Sequence, residues 1–162
     1  MKKIDQFKNL KENLEGAVQT IFVPFNKNFN NDYVALKRHL ATLCSLKYVQ
    51  CLYLMPYNGR YSQLSENEIL ELNKICIRQV KKSGKLIIVS DPIHASTDTK
   101  LKFCYHAKKY GADIFSSIFR EKYFSDNQVF LHYKKIASSK MPILVHMMPF
   151  LSGYNGSNMN WK

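Results

Sequence analysis

Short apolar runs alternate with longer stretches whose apolar residues recur every three to four positions, and the alternation repeats along most of the chain. Residues 17–23, Ala-Val-Gln-Thr-Ile-Phe-Val, read as a strand closed by Pro24. A turn-rich segment, 26–31, follows, and Asp32 is placed to cap a helix whose apolar positions are Leu36, Leu40, Leu43 and Cys44. Residues 48–55 form the second strand, ended by Pro56-Tyr57-Asn58-Gly59. Ser65 and Glu68 then make a capping box, in which hydroxyl and carboxylate each satisfy a free amide of the first turn. The helix they open carries Ile69, Leu72, Ile75, Cys76 and Val80 on one face and ends at Ser83-Gly84.

The unit then recurs. Strand 86–90 leads through Asp91-Pro92-Ile93-His94 to a cap at Ser96 and a helix stopped by Gly111. Asp91 and His94 follow a strand end and read as loop caps. Residues 113–119 are the fourth strand, and a helix from about Asp126 carries Val129, Phe130, Tyr133, Ile136 and Ala137. Residues 142–148 are the fifth strand, and the tail from Phe150 to Lys162 shows no further element. Strand starts near 17, 48, 86, 113 and 142 are spaced like βα units. Uninterrupted runs such as Leu86-Ile87-Ile88-Val89 suit strands of a parallel sheet covered on both faces.

The pattern predicts an α/β fold with about five parallel βα units. It divides into a polar extension (1–13), one domain (14–153) and a polar tail (154–162). Periodicity leaves open a doubly wound sheet or part of a closed barrel. Either would place a site where strands give way to loops at their carboxyl ends. The turn after the first strand reads Val23-Pro24-Phe25-Asn26-Lys27, and no glycine-rich phosphate loop occurs in the sequence, which disfavours dinucleotide binding.

Composition changes this picture little. With 162 residues, 46% of them hydrophobic, one core is expected. The net charge of +12 raises the question of an anionic partner. The lysines, however, are dispersed and lie mostly near predicted helix ends, where cations favour the helix dipole, so nucleic-acid binding is disfavoured. The apolar runs are of strand length, and the amino-terminal residues lack a signal-peptide core, so neither a membrane span nor export is expected. Four scattered cysteines lack metal-ligand spacing and read as buried thiols in a reducing cytoplasm; no metal or cofactor is expected.

The order of local signatures resembles the class I aldolases typified by dihydrodipicolinate synthase and N-acetylneuraminate lyase. Residues 16–25, Gly-Ala-Val-Gln-Thr-Ile-Phe-Val-Pro-Phe, are similar to that family's first strand and its Thr-Pro-Phe ending. Pro56 to Glu68 sits where the family has its Gly-Thr-Thr-Gly-Glu loop and following helix. Ser96-Thr97, Gly111-Ala112-Asp113 and Pro142-Ile143-Leu144-Val145-His146-Met147-Met148-Pro149 with Ser152-Gly153 continue the match in register. The resemblance implies a partial (β/α)₈ barrel and a Schiff-base lyase or synthase acting on pyruvate or a related 2-keto acid. In such an enzyme a lysine amine condenses with the keto group, and the iminium serves as an electron sink for carbon-carbon chemistry.

Carried over residue by residue, the resemblance places His146 at the family's proton-shuttle tyrosine, and an imidazole can serve there because it titrates near neutral pH. Tyr57 and Asn58 replace the two threonines of the carboxylate-binding loop, and Arg60 replaces its glutamate, reversing the charge. Tyr123 is the nearest substitute for the fourth-strand tyrosine. The family's catalytic lysine lies on a sixth strand, whereas the sequence ends 16 residues after His146, so no residue is assigned as the Schiff-base nucleophile. An alternative from another class is a non-catalytic partial barrel serving as an interaction module. In either case unpaired first and fifth strands predict homo-oligomers or association through the open barrel edges.

Overall fold

The computed structural model describes Leu10, Glu12 and residues 14–119 and 125–146. In chain order its elements are β1 (Ala17–Thr20), α1 (Tyr33–Ser45), β2 (Val49–Leu54), a 3₁₀ turn (Tyr61–Gln63), α2 (Glu66–Lys81), β3 (Leu86–Ser90), α3 (Thr97–Tyr110), β4 (Ile114–Ser117), α4 (Asp126–Ala137) and β5 (Ile143–Val145). The strands pair in parallel and in the order β1-β2-β3-β4-β5. That order decides between the two architectures left open by periodicity. A doubly wound sheet reverses its strand order at a switch point. Here each helix returns the chain to the next position on the same side, as in a (β/α)₈ barrel.

Strand register separates two layers of side chains. Leu52, Leu54, Ile87, Val89 and Phe115 face the helices and form the main core with Leu36 and Leu40 of α1, Leu72, Cys76 and Val80 of α2, Phe103 and Ala107 of α3, and Ile136 of α4. Burying each large aliphatic chain here is worth about 1.5–3 kcal/mol. Residues one step along each strand point the other way: Cys51, Tyr53, Ile88 and Ile114 form a second, smaller cluster. Pairing of Val18 with Cys51 and of Ser116 with Leu144 extends this inner face to both outer strands. Val18 and Leu144 remain 47% and 37% exposed, so the concave side of the sheet is only partly covered among the described residues.

Local signals behave largely as the sequence predicts. Asp32 caps α1 by accepting from the Val34 and Ala35 amides at 3.1 and 2.8 Å. The Ser65–Glu68 capping box forms at α2, and a second one, Ser125 with Gln128, opens α4. Basic residues occupy the last turns of α2 (Arg78, Lys81), α3 (Lys108, Lys109) and α4 (Lys134, Lys135). Six of the 24 Lys and Arg residues are thereby placed where a cation favours the helix dipole.

Three expectations need correction. The ladders are shorter than the apolar runs: β1 ends at Thr20, with the Ile21 amide still donating to the Tyr53 carbonyl of β2 at 2.9 Å, and β4 ends at Ser117. At the entry to β4, Asp113 precedes the strand by one residue and bridges to β3, its amide donating to the Ile87 carbonyl at 3.1 Å and its carboxylate accepting from the Ile87 amide at 2.9 Å. Phe130 does not join the core: it is 61% exposed, with the Lys134 ammonium 5.9 Å above its ring.

Gly111 ends α3 with φ at +87°, its amide donating back to the Ala107 and Lys108 carbonyls. No atom would obstruct a Cβ there, so the cost of a side chain is purely conformational. Gly111→Ala is expected to lower the unfolding free energy by about 1 kcal/mol, measured by urea denaturation, with an unchanged m-value.

Candidate active site at the carboxyl ends of the strands

The inner face becomes polar at the carboxyl ends of the strands. Tyr53 on β2 projects inward with only 6% of its surface exposed, and burial raises the pKa of its phenol, which therefore stays protonated at neutral pH. Its hydroxyl lies 2.6 Å from Ser116 Oγ, on β4, and 3.3 Å from His146 Nδ1, just beyond β5. The His146 amide donates to the Ser117 carbonyl at 3.3 Å, which continues the β4–β5 pairing to this residue. Adjacent strands are about 4.8 Å apart, so β2 and β5 would be roughly 14 Å apart in a flat sheet. One tyrosine reaches both β4 and β5 because the sheet curves around it.

The loop after β2 presents the other residues singled out from the sequence. Tyr57 and Asn58 are half-buried and Arg60 is exposed. Arg60 has a left-handed backbone, φ +57°. The Val23 amide donates to the Asn58 carbonyl at 3.5 Å, which ties the loop to the segment leaving β1. Gly59 is dictated by contact: a Cβ would lie 2.6 Å from Cε1 of Tyr61. Tyr61 is buried, and its hydroxyl donates to Asn73 Oδ1 at 2.5 Å; Asn73 Nδ2 then donates to the Ser90 carbonyl at 3.0 Å. A side-chain bridge thus links the β2 loop, α2 and the end of β3. Neither partner was singled out from the sequence, because Asn73 sits within an ordinary amphipathic helix pattern.

Asp91 does not act as the loop cap expected from the sequence. It is fully buried, accepts from the Ser117 hydroxyl at 2.6 Å, and lies 3.8 Å from Lys100 Nζ. Lys100, itself 3% exposed, reaches from α3 to donate to the Ile118 carbonyl at 2.5 Å. This group lies between the helices and the sheet and joins the ends of β3 and β4 to α3. His94 is exposed, and Tyr123 lies outside the described residues. Among the described residues no cluster of His, Cys, Asp or Glu could hold a metal, and none of the strands contains a lysine.

Two outcomes follow from these buried groups. Asn73→Leu leaves the Tyr61 hydroxyl and the Ser90 carbonyl without partners and is expected to cost about 2–4 kcal/mol, read by chemical denaturation. Burial outweighs the Lys100 charge and the Ser117 hydrogen bond and raises the Asp91 pKa to about 6 from 3.8. The folded state therefore binds this proton more tightly than the unfolded state does. Its contribution favours folding at acid pH and is lost as pH rises from about 4 to about 6. Unfolding measured across that window is expected to show this loss in the native sequence and not in Asp91→Asn.

Comparison with known proteins agrees with this fold. The family model described as "Dihydrodipicolinate synthetase family" matches residues 13–158. A curated 4-hydroxy-tetrahydrodipicolinate synthase of Archaeoglobus fulgidus is 26% identical over 144 residues, covering 87% of this chain and 47% of that protein. Among solved structures, a prophage protein of the dihydrodipicolinic acid synthase family from E. coli K12, in complex with pyruvate, superposes with TM-score 0.76 at 18% identity, covering 86% of this chain and 47% of the other. N-acetylneuraminate lyase from Fusobacterium nucleatum gives TM-score 0.77 at 19% identity, with 90% and 50% covered. The chain thus spans about half the length of these relatives, with the fold of part of their barrel. On the family match, which extends over most of its residues, the chain belongs to the dihydrodipicolinate synthetase family.

Proposed function

We propose that this chain carries the amino-terminal part of a Schiff-base lyase or synthase acting on pyruvate or a related 2-keto acid. The observation that carries the reading is the polar cluster at the barrel mouth. His146 stands at the position of the family's proton-shuttling tyrosine and is hydrogen-bonded to Tyr53 on the same inner face. In this reading a lysine amine adds to the keto carbonyl and water leaves, giving an iminium. The iminium then takes up the electron pair of the adjacent carbon-carbon bond, while His146 moves a proton between the iminium carbon framework and the second substrate. Tyr57, Asn58 and Arg60 hold the keto-acid carboxylate; Arg60 adds a cation suited to that charge. Tyr123 joins them in the same role.

The described strands contain no lysine, so the amine comes from elsewhere in the barrel. That same observation supports a second reading, in which the 162-residue chain is a non-catalytic interaction module with the family's fold. Borohydride trapping with pyruvate, read by mass spectrometry, separates the two. The 162-residue chain is expected to form no adduct, and a chain continued through the next βα unit of its gene is expected to form one on a lysine of the added strand. No adduct from the continued chain, or no strand encoded beyond Lys162, would remove the aldolase reading. An adduct on the 162-residue chain would overturn the assignment of the amine.

We place the protein in the cytoplasm, a reading supported by four free cysteines, three of them buried, and by the lack of any described helix long and apolar enough to cross a membrane. As an isolated chain it is expected to self-associate, because among the described residues β1 and β5 each pair on one side only and Val18 and Leu144 are 47% and 37% exposed on the concave face. Light scattering should give a mass above 18.9 kDa that rises with concentration; a monodisperse monomer with a cooperative melt would contradict this.

A further inference from the structure

We infer that Tyr53 is a positioning residue that holds neutral His146 in the tautomer with its proton on Nδ1 and the lone pair on Nε2. The inference rests on the proposed role of His146 for its meaning, though not for its test. It starts from the unequal contacts of one hydroxyl: 2.6 Å to Ser116 Oγ and 3.3 Å to His146 Nδ1, with the Ser90 hydroxyl also within its reach. A phenol has one proton to give, and it is a stronger donor than an aliphatic hydroxyl. The short bond is therefore Tyr53 O–H to Ser116 Oγ, at the length usual for a good O–H···O bond. With its proton spent, Tyr53 Oη can only accept from His146, and the longer distance suits an N–H donor. Nδ1 then carries the hydrogen, and tautomer logic leaves the lone pair on Nε2.

The ring contacts support a fixed orientation, since the two rings lie 6.4 Å apart at a 48° tilt and Tyr53 is anchored among buried inner-face residues. The consequence is chemical. A His146 held this way carries its lone pair on Nε2, and an imidazolium formed by protonation there keeps its Nδ1–H on Tyr53 Oη, where the hydroxyl dipole stabilises the added charge. The opposite tautomer would present N–H and could only donate. Ser116 completes the chain by accepting from Tyr53, which stops the phenol proton from turning toward the imidazole.

Two-bond proton–nitrogen correlation spectra of the ¹⁵N-histidine-labelled chain distinguish the two nitrogens of His146 directly and need neither substrate nor lysine. At a pH where the ring is neutral, His146 is expected to give the pattern of an Nδ1–H tautomer. Tyr53→Phe, which removes only the hydroxyl, should shift it toward the Nε2–H form that predominates for free imidazole side chains. Ser116→Ala combined with Ser90→Ala removes both serine acceptors and frees the phenol proton to turn, and should shift the same equilibrium in the same direction, which keeps the test available if Tyr53→Phe does not fold. An Nε2–H pattern in the native chain, or a pattern unmoved by whichever variant folds, would overturn the inference. Failure of pyruvate trapping would remove the aldolase reading and leave the tautomer intact.

Discussion

The curvature of a consecutively ordered parallel sheet is the constraint on which the other features depend. Parallel strands need helices to return the chain, and those helices take up one face of the sheet entirely. What remains is a concave face on which every second residue meets others from strands that are not its neighbours. The Tyr53 hydroxyl touches Ser116 across the intervening strand β3 and His146 across β3 and β4. In a flat sheet these groups would be too far apart for any tyrosine to join. The fold thus creates the site by bending.

Outside the sheet a different set of polar groups keeps that bend in place. Lys100 and Asp91 are both buried, and they join α3 to the carboxyl ends of β3 and β4 through Ser117 and the Ile118 carbonyl. Tyr61 and Asn73 do the same for the β2 loop. Such buried polar ties add little net stability compared with apolar packing, but they are costly to leave half-made. Their effect is to fix where the strand ends point, which matters for a site assembled from several of them. Ser116 and Ser117 divide this labour: adjacent in sequence, they face opposite sides of the sheet, one toward Tyr53 and the other toward Asp91.

Element order, caps and most core positions were legible in the sequence because they depend on local periodicity and first-turn chemistry. Asp32, Ser65 with Glu68, Ser96 and Gly111 perform the roles their residue types suggest. The choice between barrel and doubly wound sheet was not legible from periodicity, since strand order is a long-range property, and only the resemblance pointed to it. Of the candidate site, the motif match singled out His146 and the loop residues Tyr57, Asn58 and Arg60, of which His146 meets the inner-face cluster through Tyr53; Tyr53, Ser116, Asn73 and Lys100 could not be singled out. Tyr53 reads as one more apolar residue of a buried strand, and its polar function depends on a partner 63 residues away. Asp91 was misread because its neighbour in sequence is a turn proline while its partner in space is on another strand.

The inner face of this sheet is curved enough to join Tyr53 to Ser116 across β3. A double-mutant cycle on unfolding free energy, using Tyr53→Phe, Ser116→Ala and the pair, measures that contact without reference to catalysis. A coupling of about 1 kcal/mol or more between the two sites is expected. Additivity to within about 0.3 kcal/mol would mean that the two hydroxyls do not meet, and would contradict both the curvature and the inner-face cluster.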